Sequence, residues 1–400
     1  MLLVVQIVCT YEKNSLKKHY TLILYHIMFV FSIFLCYNIL KNKSKHKGLS
    51  QLKRKLTAFL LCIALCIVSF AGCNPSNPPE SAETGKEKEL NFTAMDTYVT
   101  IKADCSEEIL KKAQKAIEDY AAEIDCMNDS PVSKLNNGEE VAGSETLIEA
   151  VNDAIMYATI TDLAYNPCYY DLKKLWNIGS DDFKVPSDAD IEKALKTADC
   201  SKLSVSSDKI TLGGAKLDLG GIGKGTATQK AVEVLRENGV KSAILTVGGS
   251  VAVVGKKDTG AWTVAVQDPR GENGESLGTF SLYNNYISTS GDYQQYSEVD
   301  GKRYCHIFGK NGYPVDNGLT SVTVVCKDGT QADALSTALF VMGEKKALKF
   351  ASENSDVDIM LVTSDKRIIV TRKMNKYFKL TNDSYKLTVY TEQATTTVNE

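Results

Sequence analysis

Two groups of residues have the types and spacing to do chemistry. Asp333 and Thr337 stand four apart in a stretch of helical spacing, Gln331 to Met342, so a carboxylate and a hydroxyl share one helix face. Oxygen ligands of this kind suit Mg²⁺, which is commonly held by one or two protein groups together with phosphates and water. Upstream, Asp218-Leu-Gly-Gly-Ile-Gly-Lys-Gly225 sets four glycines and a lysine ahead of a helical run from Thr226 to Asn238. Glycine lets a backbone approach a phosphate closely, and a helix N-terminus offers unpaired amides and a partial positive charge. A bound diphosphate is the chemistry this suggests. The spacing fits neither G-x-x-x-x-G-K-[ST], because Thr226 follows Gly225 and not the lysine, nor G-x-G-x-x-G in its usual frame. Taken singly, the glycines read equally well as punctuation between a strand and a helix. Asp333 alone reads as a charge favoured near a helix N-terminus, and Thr337 as packing.

The elements that must position these groups follow from periodicity. A strand is expected over Phe92 to Lys102 and helices over Glu107 to Asp125, Glu145 to Leu163, Asp188 to Ala198 and Lys345 to Ser352. Strand signals recur from Ser242 to Val247 through Ser321 to Cys326, and again at Val357 to Val362 and Arg367 to Thr371. Runs of adjacent strands with helices between groups indicate an α+β domain, with a largely antiparallel sheet flanked by helices. Its expected span is 91–385, with 386–400 a polar tail.

Bulk properties exclude several classes. The 400 residues are 44% hydrophobic and 24% charged, and a net charge of −3 argues against nucleic acid as a partner. Of the eleven cysteines, six (Cys105, Cys126, Cys168, Cys200, Cys305 and Cys326) are scattered singly through the domain, without a C-x-x-C or Cys/His cluster. Zinc and iron–sulfur sites are not expected; one or two disulfides remain open.

The amino-terminal region reads as a targeting segment. Lys53-Arg54-Lys55, the apolar run Leu56 to Phe70 and Ala71-Gly72-Cys73 follow the order of a secretory signal, and residues 49–73 resemble a lipoprotein signal peptide with Cys73 as the lipidated residue. Phe70 departs from the aliphatic residue usual there. Residues 74–90 form a polar tether rich in Pro, Ser, Glu and Lys. A second apolar stretch, Thr21 to Leu40, lies in residues 1–48, which we read as a start-site extension because one chain does not ordinarily carry two consecutive export signals. The expected location is the cell membrane, lipid-anchored, on the extracytoplasmic face.

Several fragments taken in order carry a resemblance. Asp218 to Gly225, Val247-Gly-Gly249, Asp268-Pro-Arg270, Ser288-Thr-Ser-Gly-Asp-Tyr293, His306-Ile307, Gly312-Tyr-Pro-Val315 and Ala332-Asp-Ala-Leu-Ser-Thr-Ala338 occur in an order that resembles the ApbE-like flavin transferases, from about Met95 to Val362. These are FAD:protein FMN transferases, often bacterial lipoproteins, which cleave FAD and attach FMN to a threonine hydroxyl of an acceptor flavoprotein. The resemblance implies a single T-fold-like domain with FAD as substrate. It implies a magnesium site of Asp333, Thr337 and the Gly221 carbonyl, and flavin-nucleotide contacts from Met95, Thr97, Ala164, Tyr165, Asn166, Asp218, Lys224, His306 and Ile307. Three positions depart from the family pattern: Asp96 for the glycine of Met-Gly-Thr, Asn166 for an aspartate before Pro167, and Ser250 for an acidic or amide residue.

The chemistry explains these residue types. Two phosphates must be neutralised before a hydroxyl attacks phosphorus and expels AMP, which a metal and backbone amides do by charge stabilisation. A threonine hydroxyl needs a base, and His306 is the candidate because an imidazole titrates near neutral pH; a structural histidine on a strand is the plainer role. Asp333 could serve through the metal. Tyr165, Tyr293 and Tyr296 could stack on a ring, although core packing is the commoner fate of any one tyrosine. Two alternatives stay open: an FAD pyrophosphatase, with water in place of the threonine, and a non-catalytic FAD-binding lipoprotein.

Overall fold

The computed structural model describes residues 87–272 and 274–391. The start-site extension, the signal segment with Cys73 and all but the end of the tether lie outside the described residues. The fold is α+β. Nine strands form one sheet in the order β1 (Lys88–Ala94), β2 (Thr97–Ala103), β5 (Ser242–Val247), β6 (Ser250–Gly255), β9 (Asn285–Gly291), β12 (Leu319–Cys326), β13 (Asp358–Thr363), β14 (Arg367–Thr371) and β16 (Lys386–Tyr390). Neighbours pair antiparallel except β14 and β16, which run parallel.

The alternation of side chains explains how this sheet is covered on both faces. In β12 every residue is buried: Val322 and Val324 enter the larger core with the helices, while Val325 enters a second core. In β13, Ile359 and Leu361 point to the first and Met360 and Val362 to the second. Neighbouring residues on a strand face opposite ways, so a run without polar alternation marks a strand with no wet face. The second face is closed by a three-stranded sheet, β15 (Phe378–Leu380), β8 (Ser276–Leu282) and β7 (Trp262–Gln267), centred on Trp262 and Phe280.

Three helices cover the first face: α1 (Glu107–Ile124), α6 (Gly220–Glu237) and α7 (Gly329–Met342). Phe340 of α7 is fully buried, and truncating it to alanine should cost about 3–5 kcal/mol. Outside this layer lie α2 (Pro131–Asn136), α3 (Glu145–Ile160), the β3–β4 hairpin (Ser204–Ser206, Lys209–Thr211) and α8 (Glu344–Glu353). A third cluster joins α4 (Tyr170–Trp176) and α5 (Asp188–Leu195) to the segment after the β10–β11 hairpin (Tyr296–Val299, Lys302–Cys305) through Trp176, Ile191 and Phe308.

Four expectations need correction. Phe92 to Lys102 is not one strand but the turn of a hairpin, because Met95 (φ 53) and Asp96 (φ 56) both adopt left-handed backbone, a two-residue turn suited to the strand twist. Asp tolerates that conformation better than most residues, which explains how it can stand in place of glycine. The glycines of Asp218 to Gly225 do not stand ahead of the helix: α6 begins at Gly220 and not at Thr226, so they lie inside its first turns. The sheet also reaches Tyr390, since β16, read as the start of a polar tail, pairs with β14 along five residues. Finally, the tether does not run to residue 90: residues 88–90 open β1 and pair with β2, and α4 (Tyr170–Trp176) forms where no element was expected.

Candidate functional site

The glycines of α6 are required by close approach. A Cβ at Gly225 would lie 2.1 Å from the Gly329 carbonyl oxygen and 2.7 Å from Asp333 Cβ, and one at Gly329 would lie 2.4 Å from the Gly225 carbonyl oxygen. Two helices therefore cross backbone to backbone, with Thr226 and Thr330 joining hydroxyls at 2.8 Å beside the crossing. A Cβ at Gly221 would fall 2.8 Å from the Tyr165 ring and 3.9 Å from Thr337 Oγ1, so the bare backbone of α6 faces both residues.

This crossing presents Asp333. Its carboxylate is buried and accepts the Gly225 amide N–H on Oδ2 at 2.9 Å and the Ser288 hydroxyl on Oδ1 at 2.8 Å. Ser288 in turn pairs with Ser250 at 3.0 Å. The helix N-cap is Asp328, which accepts the Gln331 amide at 2.7 Å, so Asp333 is not a terminal dipole charge but points across to α6 and β9. Thr337, one turn on, shares a 3.1 Å hydroxyl contact with Ser290.

The other end of the glycine segment is anchored by Asp218. Its Oδ1 accepts the Gly220 amide at 3.0 Å, its own amide donates to the Pro167 carbonyl at 2.7 Å, and Lys173 Nζ lies 3.2 Å from Oδ2. Burial opposes ionisation of this carboxyl most strongly, but the Lys173 ammonium, the Gly220 amide and the Cys126 thiol together hold it below its ordinary value. Asp218 likewise lifts Lys173 above the usual lysine range. Asn136 clamps the preceding residue, accepting the Leu217 amide at 2.7 Å and donating to its carbonyl at 2.8 Å.

His306 follows β11. Its Nδ1 sits 3.1 Å from the Gln295 carbonyl oxygen, which only accepts, so the proton is fixed on Nδ1 and Nε2 keeps its lone pair. Burial above all, with Lys224 and Lys173 adding repulsion, lowers its pKa to about 4, so the ring is neutral at physiological pH.

These groups meet in one cleft of about 1420 Å³. Met95, Thr97, Ala164, Tyr165, Asn166, Asp218, Gly221, Lys224, His306, Ile307, Asp333 and Thr337 all line it, with Lys173 and Lys174 adding positive charge. Thr97 meets the β5–β6 turn, where Gly248 has φ 55 and a Cβ would lie 2.8 Å from the threonine hydroxyl. The Tyr165 hydroxyl has no hydrogen-bond partner among the described residues. Tyr293 also lines the cleft, whereas Tyr296 sits apart under the Arg303 guanidinium at 4.1 Å. Asn166 is engaged internally: its amide donates to the Ala198 carbonyl at 3.1 Å, and its oxygen accepts the Cys168 amide at 2.8 Å. An aspartate could not make the first of these contacts.

Other quoted fragments brace the site from outside it. Arg270 donates to both oxygens of Asp292, at 2.8 and 2.5 Å, while the buried Asp268 accepts from Tyr385 at 2.6 Å and Asn382 at 2.9 Å. Ser288, Lys173, Gln295 and Asn136 were not singled out from the sequence. Ser288 lay within a quoted fragment; the others act through partners far along the chain, where local spacing carries no signal.

The chain is matched by the model of the ApbE family over residues 95–361. It is 30% identical over 269 residues to the FAD:protein FMN transferase of Klebsiella pneumoniae (strain 342), covering 65% of this chain and 83% of that one. It is also 30% identical over 263 residues to the enzyme of the same description from Treponema pallidum (strain Nichols), covering 60% and 73%. Among solved structures, the ApbE protein of Thermotoga maritima superposes with a TM-score of 0.67 at 30% identity, over 73% of this chain and 99% of that one. The apo flavinyl transferase ApbE of Pseudomonas stutzeri superposes at 0.66 with 26% identity, over 74% and 98%.

Proposed function

The chain belongs to the ApbE family, and from that premise we propose that it is an FAD:protein FMN transferase, passing FMN from FAD to a threonine hydroxyl of an acceptor protein and releasing AMP. The observation that carries this reading is the Asp333 carboxylate, oriented by Gly225 and Ser288 against bare helix backbone in a cleft with room for a dinucleotide.

The residues fit a magnesium ion. Asp333, Thr337 and the Gly221 carbonyl are hard oxygen donors, and each Asp333 oxygen keeps a lone pair beyond its hydrogen bond. These three groups would hold the ion, whose contribution when bound is to neutralise the diphosphate.

The remaining work falls to the chain itself. The bare backbone of Gly220 and Gly221 and the Lys224 ammonium receive the nucleotide phosphates at the start of α6. His306 Nε2 accepts the proton as the threonine oxygen forms its bond to the FMN phosphorus, and the bond to the AMP oxygen breaks. Tyr165 and the segment through Asn166 wall the cleft beside Gly221.

We place the protein on the extracytoplasmic face, lipid-anchored through Cys73, in keeping with the charged, apolar and small residues before it. Labelling cells with a palmitate analogue should tag the wild type and not Cys73→Ala. The functional reading is tested by incubating the protein with FAD, Mg²⁺ and a threonine-bearing acceptor. AMP with in-gel acceptor fluorescence supports it. AMP alone would indicate a pyrophosphatase, and neither product an FAD-binding protein.

A further inference from the structure

Six cysteines are described, all buried as free thiols. Two of them stand together: Cys200 Sγ lies 3.3 Å from Cys168 Sγ, although 32 positions separate them in the chain. Two of the other four sulfurs meet backbone instead, Cys305 approaching the Ile307 and Val315 carbonyls at 3.6 Å and Cys326 donating to the Asp328 carbonyl at 3.0 Å. Cys168 and Cys200 also converge on one acceptor at the cleft, since Asn166 Oδ1 takes the Cys168 amide at 2.8 Å and the Cys200 thiol at 2.8 Å. Asn166 lines the cleft, so the thiol pair lies directly behind the wall that carries it.

We propose that Cys168 and Cys200 are a disulfide-forming pair that fastens the Asn166 segment to the turn after α5. The two sulfurs need approach each other by little more than an ångström to reach a bond of about 2.05 Å. Formation proceeds by exchange with an oxidised disulfide such as oxidised glutathione. A thiolate of the pair attacks it and expels one glutathione thiolate; the second thiolate then attacks the mixed disulfide and expels the other. Two protein S–H bonds are lost, one S–S bond forms, and the two electrons and two protons end on two glutathione molecules. The bond removes the Cys200 S–H donor from Asn166 Oδ1, leaving that oxygen with the Cys168 amide. It also closes the chain from Cys168 to Cys200, a loop whose restriction disfavours the unfolded state. The pairing does not depend on the assigned transfer activity, so failure of one leaves the other standing.

Incubation of the full folded chain with oxidised glutathione, alkylation in denaturant and non-reducing peptide mapping test this. A Cys168–Cys200 linked peptide that disappears on reduction, and a melting temperature raised in the oxidised form, are expected. Cys200→Ser and, should that variant fold poorly, Cys168→Ala should give no such peptide. Recovery of both residues as alkylated thiols, a stable mixed disulfide with glutathione at either one, or a link from either to another cysteine would overturn the proposal.

Discussion

Asp333 on α7 accepts the backbone N–H of Gly225 on α6 at 2.9 Å, one helical turn on from Gly221. This hydrogen bond holds the carboxylate against the helix start whose Gly221 carbonyl we also assign to the metal. Asp333→Asn keeps the size of the side chain and removes its charge. We expect a loss of roughly 10²–10³-fold in kcat, the range for removing one preorganised electrostatic group, with the melting temperature little changed. Turnover and thermal unfolding of the same preparation check this.

The contact exists only because two glycines let the helices touch. Gly225→Ala would put a methyl group 2.1 Å from the Gly329 carbonyl oxygen. Neither backbone can yield without moving the other, so a destabilisation of about 3 kcal/mol or more is expected in urea unfolding, with activity falling alongside. Gly225 and Gly329 also explain why the helix reads from the sequence as starting only at Thr226. Glycines in an isolated segment argue against a helix, and the reason for them lies on α7, far away in the chain.

His306 makes a prediction about pH. Its folded pKa of about 4 lies below the unfolded value near 6.5, so the unfolded state binds more protons between those limits. The contribution of this residue is therefore neutral above about pH 6.5 and increasingly destabilising as pH falls toward 4. A His306→Gln variant should lose less melting temperature than the wild type between pH 7 and pH 4.5. The transfer rate attributable to His306 should stay level from neutral pH down to about pH 5.

Lys173 is expected to maintain the charge of Asp218. The carboxyl is held below its ordinary value against the cost of burial, so its stabilising share is present above the unfolded pKa near 3.9 and lost as pH falls through the folded one. Lys173→Met removes the neighbouring ammonium at 3.2 Å and leaves burial dominant. The Asp218 carboxyl should then titrate at higher pH, which NMR of side-chain carboxyl carbons would show, and FAD should bind more weakly.

Much of the site was readable because its parts are local. Asp333 and Thr337 lie one turn apart on a helix, and the helical spacing of Gln331 to Met342 placed them together before any fold was known. The unbroken apolar run Ile359-Met-Leu-Val362 marked β13 as a strand, although not that its two faces enter different cores. What escaped was set by distant partners or by single backbone angles. The left-handed turn at Met95 and Asp96 sits inside a run that otherwise reads as one strand. Lys173 lies on a helix of only seven residues and meets Asp218 through tertiary folding. β16 is half exposed, so its polar residues resembled a tail.

The central claim is tested most directly by stoichiometry. With purified protein, FAD, Mg²⁺ and a threonine-bearing acceptor, AMP release and the intact mass of the acceptor are followed together, with and without EDTA. One AMP for each acceptor gaining an FMN group, abolished by EDTA and by Asp333→Ala, is the predicted result. Labelling that persists at the wild-type rate with Asp333→Ala or in EDTA would contradict the account.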